Sequence, residues 1–581
     1  MDLPSRSQLL PERLPDGRAL LDAGRQAGQC VTPGVSLLCE RFGVRSEVEY
    51  RRAMQACGRL MTCMNIGLHS WAETARALER IEQQCEARGF SIDRYQLNLD
   101  RRMGLPRELW ARAPRETGPM LETDADWRGT TRTVPIQPHL GDMMIGSPMS
   151  FENARRAIEA GVTYIGNLSQ FAWRYPLWTG TDVDQVSETV RALGLMAARR
   201  EDDLVLHSYL DDGYAAQFKD YCSYIGWSML EHYIVDELAG GRVASAYGGL
   251  THDPLTKMAM ILALEAIKPA GTLNSFYHGN TTAYGRCLDE NFAVLSLDVM
   301  HILLAQLRTN SGAPTLPIPV SEALRIPNAE EIVQAHTLAR RLAEAAPAMM
   351  DLIDWQRVEA LRDRLLDGGR RFYQNLRQGL HELGIDMQDP LELLLSLRRL
   401  GAARIENRFG VGELPVETGQ SYEPVIPTDT FKDFMQRRER TRSAIAARKP
   451  RVPQGLEIVV GSTDIHEYAM LLVIESLRAL GIEPTIAGTS VDPDELAALA
   501  LRGDARAILV STHNGMALSY ARALRAALSE RGLSPLVAMG GTLNEDLDGT
   551  ETPVDLIDEL GQLGVTVCTE VSDVIDLMER L

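Results

Sequence analysis

Between about residues 91 and 330 the chain alternates, without a break, between short runs that end in polar residues and longer amphipathic runs. The short ones are RYQLNLD, VTYIGNLSQ, DLVLHSYLDD, RVASAYGGLTHD, TLNSFYHGNTT and TLPIPVSEALRIP; between them lie SFENARRAIEAG, DVDQVSETVRALGLMAARR and PLTKMAMILALEAIK. A strand followed by a helix, repeated, builds a parallel sheet with helices outside it. Sustained over about 240 residues, the pattern predicts an α/β fold of the (β/α)8, TIM type, with its chemistry at the carboxyl ends of the strands.

The flanks read differently. Residues 1–90 predict a helical region, clearest in EVEYRRAMQACGRLMTCMNI and SWAETARALERIEQQCEARGF. Such helices either pack against the barrel or form a homodimer interface. Residues 331–450 predict a helical and irregular extension that ends in the linker ARKPRVPQG. From 451 to 581, the apolar runs LEIVV, EPTIAG, RAILVST, PLVAMGG and GVTVCTE alternate with helices, which predicts a doubly wound, flavodoxin-like (Rossmann-like) sheet.

Charge and cysteine usage narrow the function. A net charge of −19 over 581 residues, with no basic stripe, speaks against a nucleic-acid partner. No run of about 20 apolar residues predicts a membrane span, and the first residues lack a signal-peptide core, so a cytoplasmic location is expected. The eight cysteines are scattered and form no CxxC pair, which suits reduced thiols better than a zinc or iron–sulfur site.

Polar residues at the predicted strand ends are the candidates for contact with a small-molecule substrate: Asp100, Arg101, Asn167, Gln170, His207, Tyr209, Asp211, Thr251, His252, Tyr277, His278, Asn280 and Glu322. Each has an ordinary structural use as well, capping the next helix or satisfying a loop backbone. The three imidazoles at these ends suit acid–base work near neutral pH.

At the strand ends of the last unit three features fall in register. Asp464-Ile-His466-Glu-Tyr-Ala469 follows the first strand, Ser511-Thr512-His513 the third, and Gly540-Gly541-Thr542 the fourth. Together they resemble the cobalamin-binding domain of B12-dependent mutases and methyltransferases, which carries D-x-H-x-x-G, S-x-L and a G-G pair in that order. The resemblance implies that His466 is the lower ligand of the cobalt. It implies that Asp464 fixes the tautomer of His466, and that Ser511, Gly540 and Gly541 leave room for the cofactor's nucleotide tail. Ala469 stands where the family has glycine, and His513 where it has leucine.

The barrel looks like the large subunit of glutamate mutase (methylaspartate mutase), here fused to its B12 domain. The stretch YGGLTHDPLTKMAMILALEAIKPAGTLNSFYHGNTTAY carries most of the likeness, helped by VSEALRIP, by GSP at 146–148 and by FGVGELPVETGQSYEP. An adenosylcobalamin-dependent radical isomerase is implied, with Tyr277, His278, Glu322 and His207 lining its substrate cavity. Asn167, Gln170, His252, Asn280 and Arg101 are the candidates to bind the substrate. That enzyme's three carboxylate-binding arginines fall near Gly141, near Gly166 or Asn167, and near Ala244, and its lysine near Ile318; none is kept. A substrate other than glutamate, less anionic, is therefore expected. A corrinoid methyltransferase, or a B12 sensor without catalysis, is the alternative.

Overall fold

The computed structural model describes residues 3–269, 271–273, 275–413, 422–547, 549–550 and 552–581. Asn274, inside one predicted strand run, and 414–421, inside the FGVGELPVETGQSYEP likeness, lie outside the described residues.

Eight strands close into a parallel barrel in chain order: β1 (Met61–Ile66), β2 (Arg94–Leu97), β3 (Gln137–Leu140), β4 (Tyr164–Ile165), β5 (Val205–Tyr209), β6 (Val243–Tyr247), β7 (Phe276–His278) and β8 (Pro314–Leu316). The ring is completed by β8 pairing with β1. β1 corrects the helical reading of residues 1–90, and the barrel begins well before residue 91. The helix Glu47–Ala56 stops, Gly58 takes a left-handed φ of 67°, and MTCMNI runs on as a strand.

Alternation within each strand separates two environments. Cys63, Ala246, Phe276, Leu316 and Ile318 meet inside the barrel, whereas Tyr247 and Tyr277 pack outward into the layer of helices. The amino-terminal end of the barrel is plugged by ions. Glu47 takes hydrogen bonds from Arg51 Nε at 2.9 Å and Arg94 Nε at 2.8 Å, and the Arg94 guanidinium lies 3.8 Å from the centre of the Tyr164 ring. Arg51 also donates to the carbonyls of Leu273 and Ser275 just before β7. Burial would raise the Glu47 carboxyl, but the two arginines outweigh it and hold it below the usual range.

The amino-terminal helix Gly17–Cys30 packs on helix Asp182–Ala197 of the barrel. Helices Ala329–Met349 and Trp355–Glu382 wrap the barrel's outer layer as well. By length and composition helix Leu288–Thr309 could cross a membrane. It packs between two neighbouring helices, and its Asp298 pairs with the buried Lys257.

The carboxyl-terminal unit is a five-stranded parallel sheet: β9 (Ile458–Ser462), β10 (Thr485–Gly488), β11 (Ala507–Thr512), β12 (Leu536–Gly541) and, after a small hairpin of β13 (Asn544–Glu545) and β14 (Val554–Asp555), β15 (Val565–Cys568). Its order is β10-β9-β11-β12-β15, the 2-1-3-4-5 order of a doubly wound sheet. One face packs on helices Pro493–Gly503 and Ala517–Glu530, the other on Tyr468–Ala479 and Asp573–Arg580.

Candidate functional site

The two carboxyl-terminal strand mouths face each other. Arg101 after β2 donates to Ser490 Oγ at 2.9 Å, Thr117 to the Asn514 carbonyl at 3.3 Å, and Arg174 pairs with Glu495 at 3.0 Å. On the far side Asn544 Nδ2 donates to the Leu324 carbonyl at 3.2 Å. Contacts that start from the loops after β2, β4 and β8 set the doubly wound unit over the barrel opening like a cap. Arg101 is thus a clasp between the units; it is 5% exposed and lies over the rings of Trp173 and Tyr175.

On the cap side, Asp464 and His466 occupy the turn from β9 to helix Tyr468–Ala479. The imidazole donates through Nδ1 to Asp464 Oδ1 at 2.8 Å, and the backbone N–H of His466 donates to the same oxygen at 3.0 Å. The other carboxylate oxygen accepts the N–H groups of His513 at 2.7 Å and Asn514 at 3.2 Å, and the Thr463 hydroxyl at 3.0 Å. Burial alone would raise the Asp464 carboxyl; the donors converging on it, His466 first, hold it far below the usual range. With Nδ1 committed, Nε2 is the atom left to coordinate. The His466 side chain keeps 48% of its surface accessible while Asp464 keeps none. Although burial opposes a charge there, Asp464, then Asp212 and Glu116 of the barrel, raise the imidazole's pKa.

Ser511, next to last in β11, lies in register with Ser462 and Gly540. Gly541 adopts φ 110°, and a Cβ on it would meet the Thr512 carbonyl oxygen at 2.1 Å, so the glycine is required where the end of β12 lies close beside its neighbour β11. His513 stands with its ring centre 4.3 Å from that of His466, and its Nδ1 lies 3.2 Å from Thr542 Oγ1. The neighbouring imidazole, then burial, pulls His513 down to about 4.

Below the cap the barrel interior carries three buried histidines. His139 on β3 and His207 on β5 meet edge to face with ring centres 4.3 Å apart; His278 on β7 stacks on Tyr209 at 4.4 Å. Both nitrogens of His139 and of His207, Nε2 of His278, and Oε1 of Gln96 have no hydrogen-bond partner among the described residues. Burial drives His139 and His207 well below the usual imidazole value, and His278 down to about 3. These rings are neutral, with free lone pairs. A Cβ on Gly141 would lie 3.2 Å from His139 Nε2, 3.4 Å from His207 Cδ2 and 3.5 Å from Gln96 Nε2, so this glycine keeps the space between them open.

Two of the amides predicted to touch substrate instead hold carboxylates at the rim. Gln170 Nε2 donates to Asp142 Oδ1 at 3.0 Å, and Asn167 Nδ2 to Asp212 Oδ2 at 2.7 Å. Their oxygens brace the backbone N–H groups of Met143, at 2.9 Å, and Tyr209, at 3.0 Å. Glu116 and Glu322, at the same opening, are each raised to about 7, mainly by burial.

The predicted residues therefore divide. His207 and His278 point inward together, and Glu322 lies at the rim. Tyr277 faces away and donates to Glu265 of helix Pro254–Ile267, because its neighbour His278 faces in. Asn280 is taken up by its own turn: its Oδ1 accepts from Ala283 N at 3.1 Å and its N–H donates to Asp298 at 2.7 Å. His252 sits at the outer edge, where its backbone N–H donates to Asp429 Oδ2 at 2.9 Å. Sequence reasoning missed His139, Gln96, Asp142 and Asp212. The signal for two of them was HLGD, a histidine and an acid around a glycine at a strand end. No three His, Cys, Asp or Glu side chains converge as a metal-holding group among the described residues.

No family model matches the chain, and no curated protein matches it either. Among solved structures it is similar to a novel cobalamin-binding protein from Desulfitobacterium hafniense DCB-2, with 19% identity, a TM-score of 0.20, and coverage of 26% of this chain and 69% of that one.

Proposed function

We propose that the chain is an adenosylcobalamin-dependent isomerase that rearranges a small substrate inside the barrel, with His466 as its ligand to the corrin cobalt. The observation that carries this reading is the Asp464–His466 pair. A buried carboxylate holds Nδ1 at 2.8 Å, and the accessible side of the ring lies between the sheet and the barrel opening. That is the donor set a corrin needs from a protein: one neutral nitrogen, oriented and made more basic by its partner. His466, Ser511, His513, Gly540, Gly541 and Thr542 would hold the cofactor along the sheet's carboxyl ends.

When bound, the cofactor supplies a weak cobalt–carbon bond as a source of radicals. The chain's own contribution is enclosure and polarity. Arg101 and Arg174 clasp the cap over the opening and keep bulk water from the chamber. The neutral rings of His139, His207 and His278 line its interior and offer a substrate both lone pairs and N–H groups. Glu322, raised to about 7, is poised to hold or release a proton at the rim. Gly141, Gly166 and Ala244 offer no cation to a dicarboxylate, which supports a substrate other than glutamate. Of the helices that precede the cap, Ala329–Met349 and Trp355–Glu382 pack on the barrel, and Asp429–Arg448 packs on the flank of the sheet unit, along helix Tyr468–Ala479; one flanking helix is not the four-helix cap of a corrinoid methyltransferase.

The test is reconstitution with adenosylcobalamin, read by absorption and electron paramagnetic resonance. The expected product carries histidine nitrogen on cobalt, and His466→Ala removes that signature. Retention of the vitamin's own base, or no pigment retained, overturns the proposal.

A further inference from the structure

The rim of the chamber holds two carboxylates that the protein leaves without a cation. Asp142 follows β3 and Asp212 follows β5, each gripped by one amide, Gln170 or Asn167. Neither has a lysine or arginine partner among the described residues. Arg101 is spent on Ser490, Glu116 and a carbonyl, and Lys257 on Asp298. Carboxylates withdrawn from water are normally balanced by a cation or by protons. Here burial first, and for Asp212 the neighbouring Asp142 next, raises both carboxyls above the usual carboxylate range.

A second feature points into the same place. Gly141, next to Asp142, leaves space beside the edge-to-face pair of His139 and His207, both fully buried and without hydrogen-bond partners among the described residues. A neutral imidazole offers one lone pair and one N–H, whereas the two carboxylates offer only acceptors and negative charge. The ligand that answers two acids beside two imidazole lone pairs is a cationic donor. An alkylammonium supplies three N–H groups and the charge; a carboxylate ligand would meet two repelling acids.

We propose that the barrel mouth binds a protonated primary amine, with Asp142 and Asp212 as its counter-charge and His139 and His207 as acceptors, so that the substrate is a small amine. This rests on reading the barrel mouth as the substrate site of the isomerase.

The test is calorimetric titration of the full chain, loaded with adenosylcobalamin, against three probes of one skeleton: 3-aminopropan-1-ol, propane-1,3-diol and 3-hydroxypropanoate. The amine is expected to bind about tenfold or more tightly than the diol and the acid, as charge-assisted hydrogen bonds require. Asp142→Asn and Asp212→Asn should each remove about tenfold of that preference and leave diol binding unchanged. Equal affinity for the three probes, preference for the acid, no binding of the amine, or tight binding of Mg2+ in its place would overturn the inference. The corrin spectrum of the same samples separates the two claims. Pigment retained without amine preference sinks only the substrate class; amine preference without pigment sinks only the cofactor.

Discussion

Nδ1 of His466 lies 2.8 Å from Oδ1 of Asp464, and the second oxygen of that carboxylate is held by the N–H groups of His513 and Asn514. One buried side chain thus ties the turn after β9 to the turn after β11 and sets the imidazole's direction. Asp464→Asn keeps the shape but weakens the grip on the ring. Affinity for adenosylcobalamin should fall by about 10- to 100-fold, the usual loss when a ligand's supporting partner is removed. Equilibrium binding followed at the corrin bands measures it.

Gly141→Ala would place a methyl group 3.2 Å from His139 Nε2 and 3.4 Å from His207 Cδ2. The backbone at Gly141 is not in the left-handed region, so no conformational strain is added. Ligand binding in the chamber should weaken about tenfold or more, while stability falls by no more than about 1–3 kcal/mol, the usual cost of one added methyl. Calorimetry and urea unfolding on one preparation separate the two effects.

Tyr277→Phe is a contrasting case. The hydroxyl serves Glu265 outside the barrel, so ligand affinity and turnover should stay at the native level. Stability should drop by about 0.5–1.5 kcal/mol, because Glu265 loses one buried hydrogen bond and keeps its ion pair with Lys268. A large loss of activity at unchanged stability would contradict the placement of this ring.

His207 provides the pH dependence. Burial, with His278 and Arg94 nearby, holds its pKa well below 6.5 in the folded chain. The unfolded chain takes up a proton on this ring below about 6.5, and the folded chain does not. Its contribution is therefore complete above pH 6.5 and shrinks as the pH falls. The stability advantage of wild type over His207→Gln should decrease by about 2 kcal/mol between pH 7 and pH 5. Comparing the two proteins cancels the opposite slope from Asp142 and Asp212. Urea denaturation at stepped pH reads it directly.

The Asp464–His466 pair was legible because its parts are local. Asp464 and His466 share one turn, and two residues of spacing already place the acid beside the ring. On the barrel side, strand-end position predicted His207 and His278 but admitted Tyr277, which strand alternation forbids once His278 faces inward. β3 escaped notice because QPHL is short and contains a proline, and His139 and Asp142 went with it. Arg101 could be seen, but not its use, since Ser490 is 389 residues away. Asn167 and Gln170 were recognised as polar and assigned to a ligand; their real partners, Asp212 and Asp142, come from other strands.

Among the described residues, the Glu47–Arg51–Arg94 cluster beneath Tyr164 closes the amino-terminal end of the barrel. A substrate of the proposed isomerase would then pass the opening that the sheet domain straddles, and its exchange would depend on how often Arg101 lets go of Ser490. On that reading, a tighter handshake shields reactive species for longer and slows the exchange of product for fresh substrate.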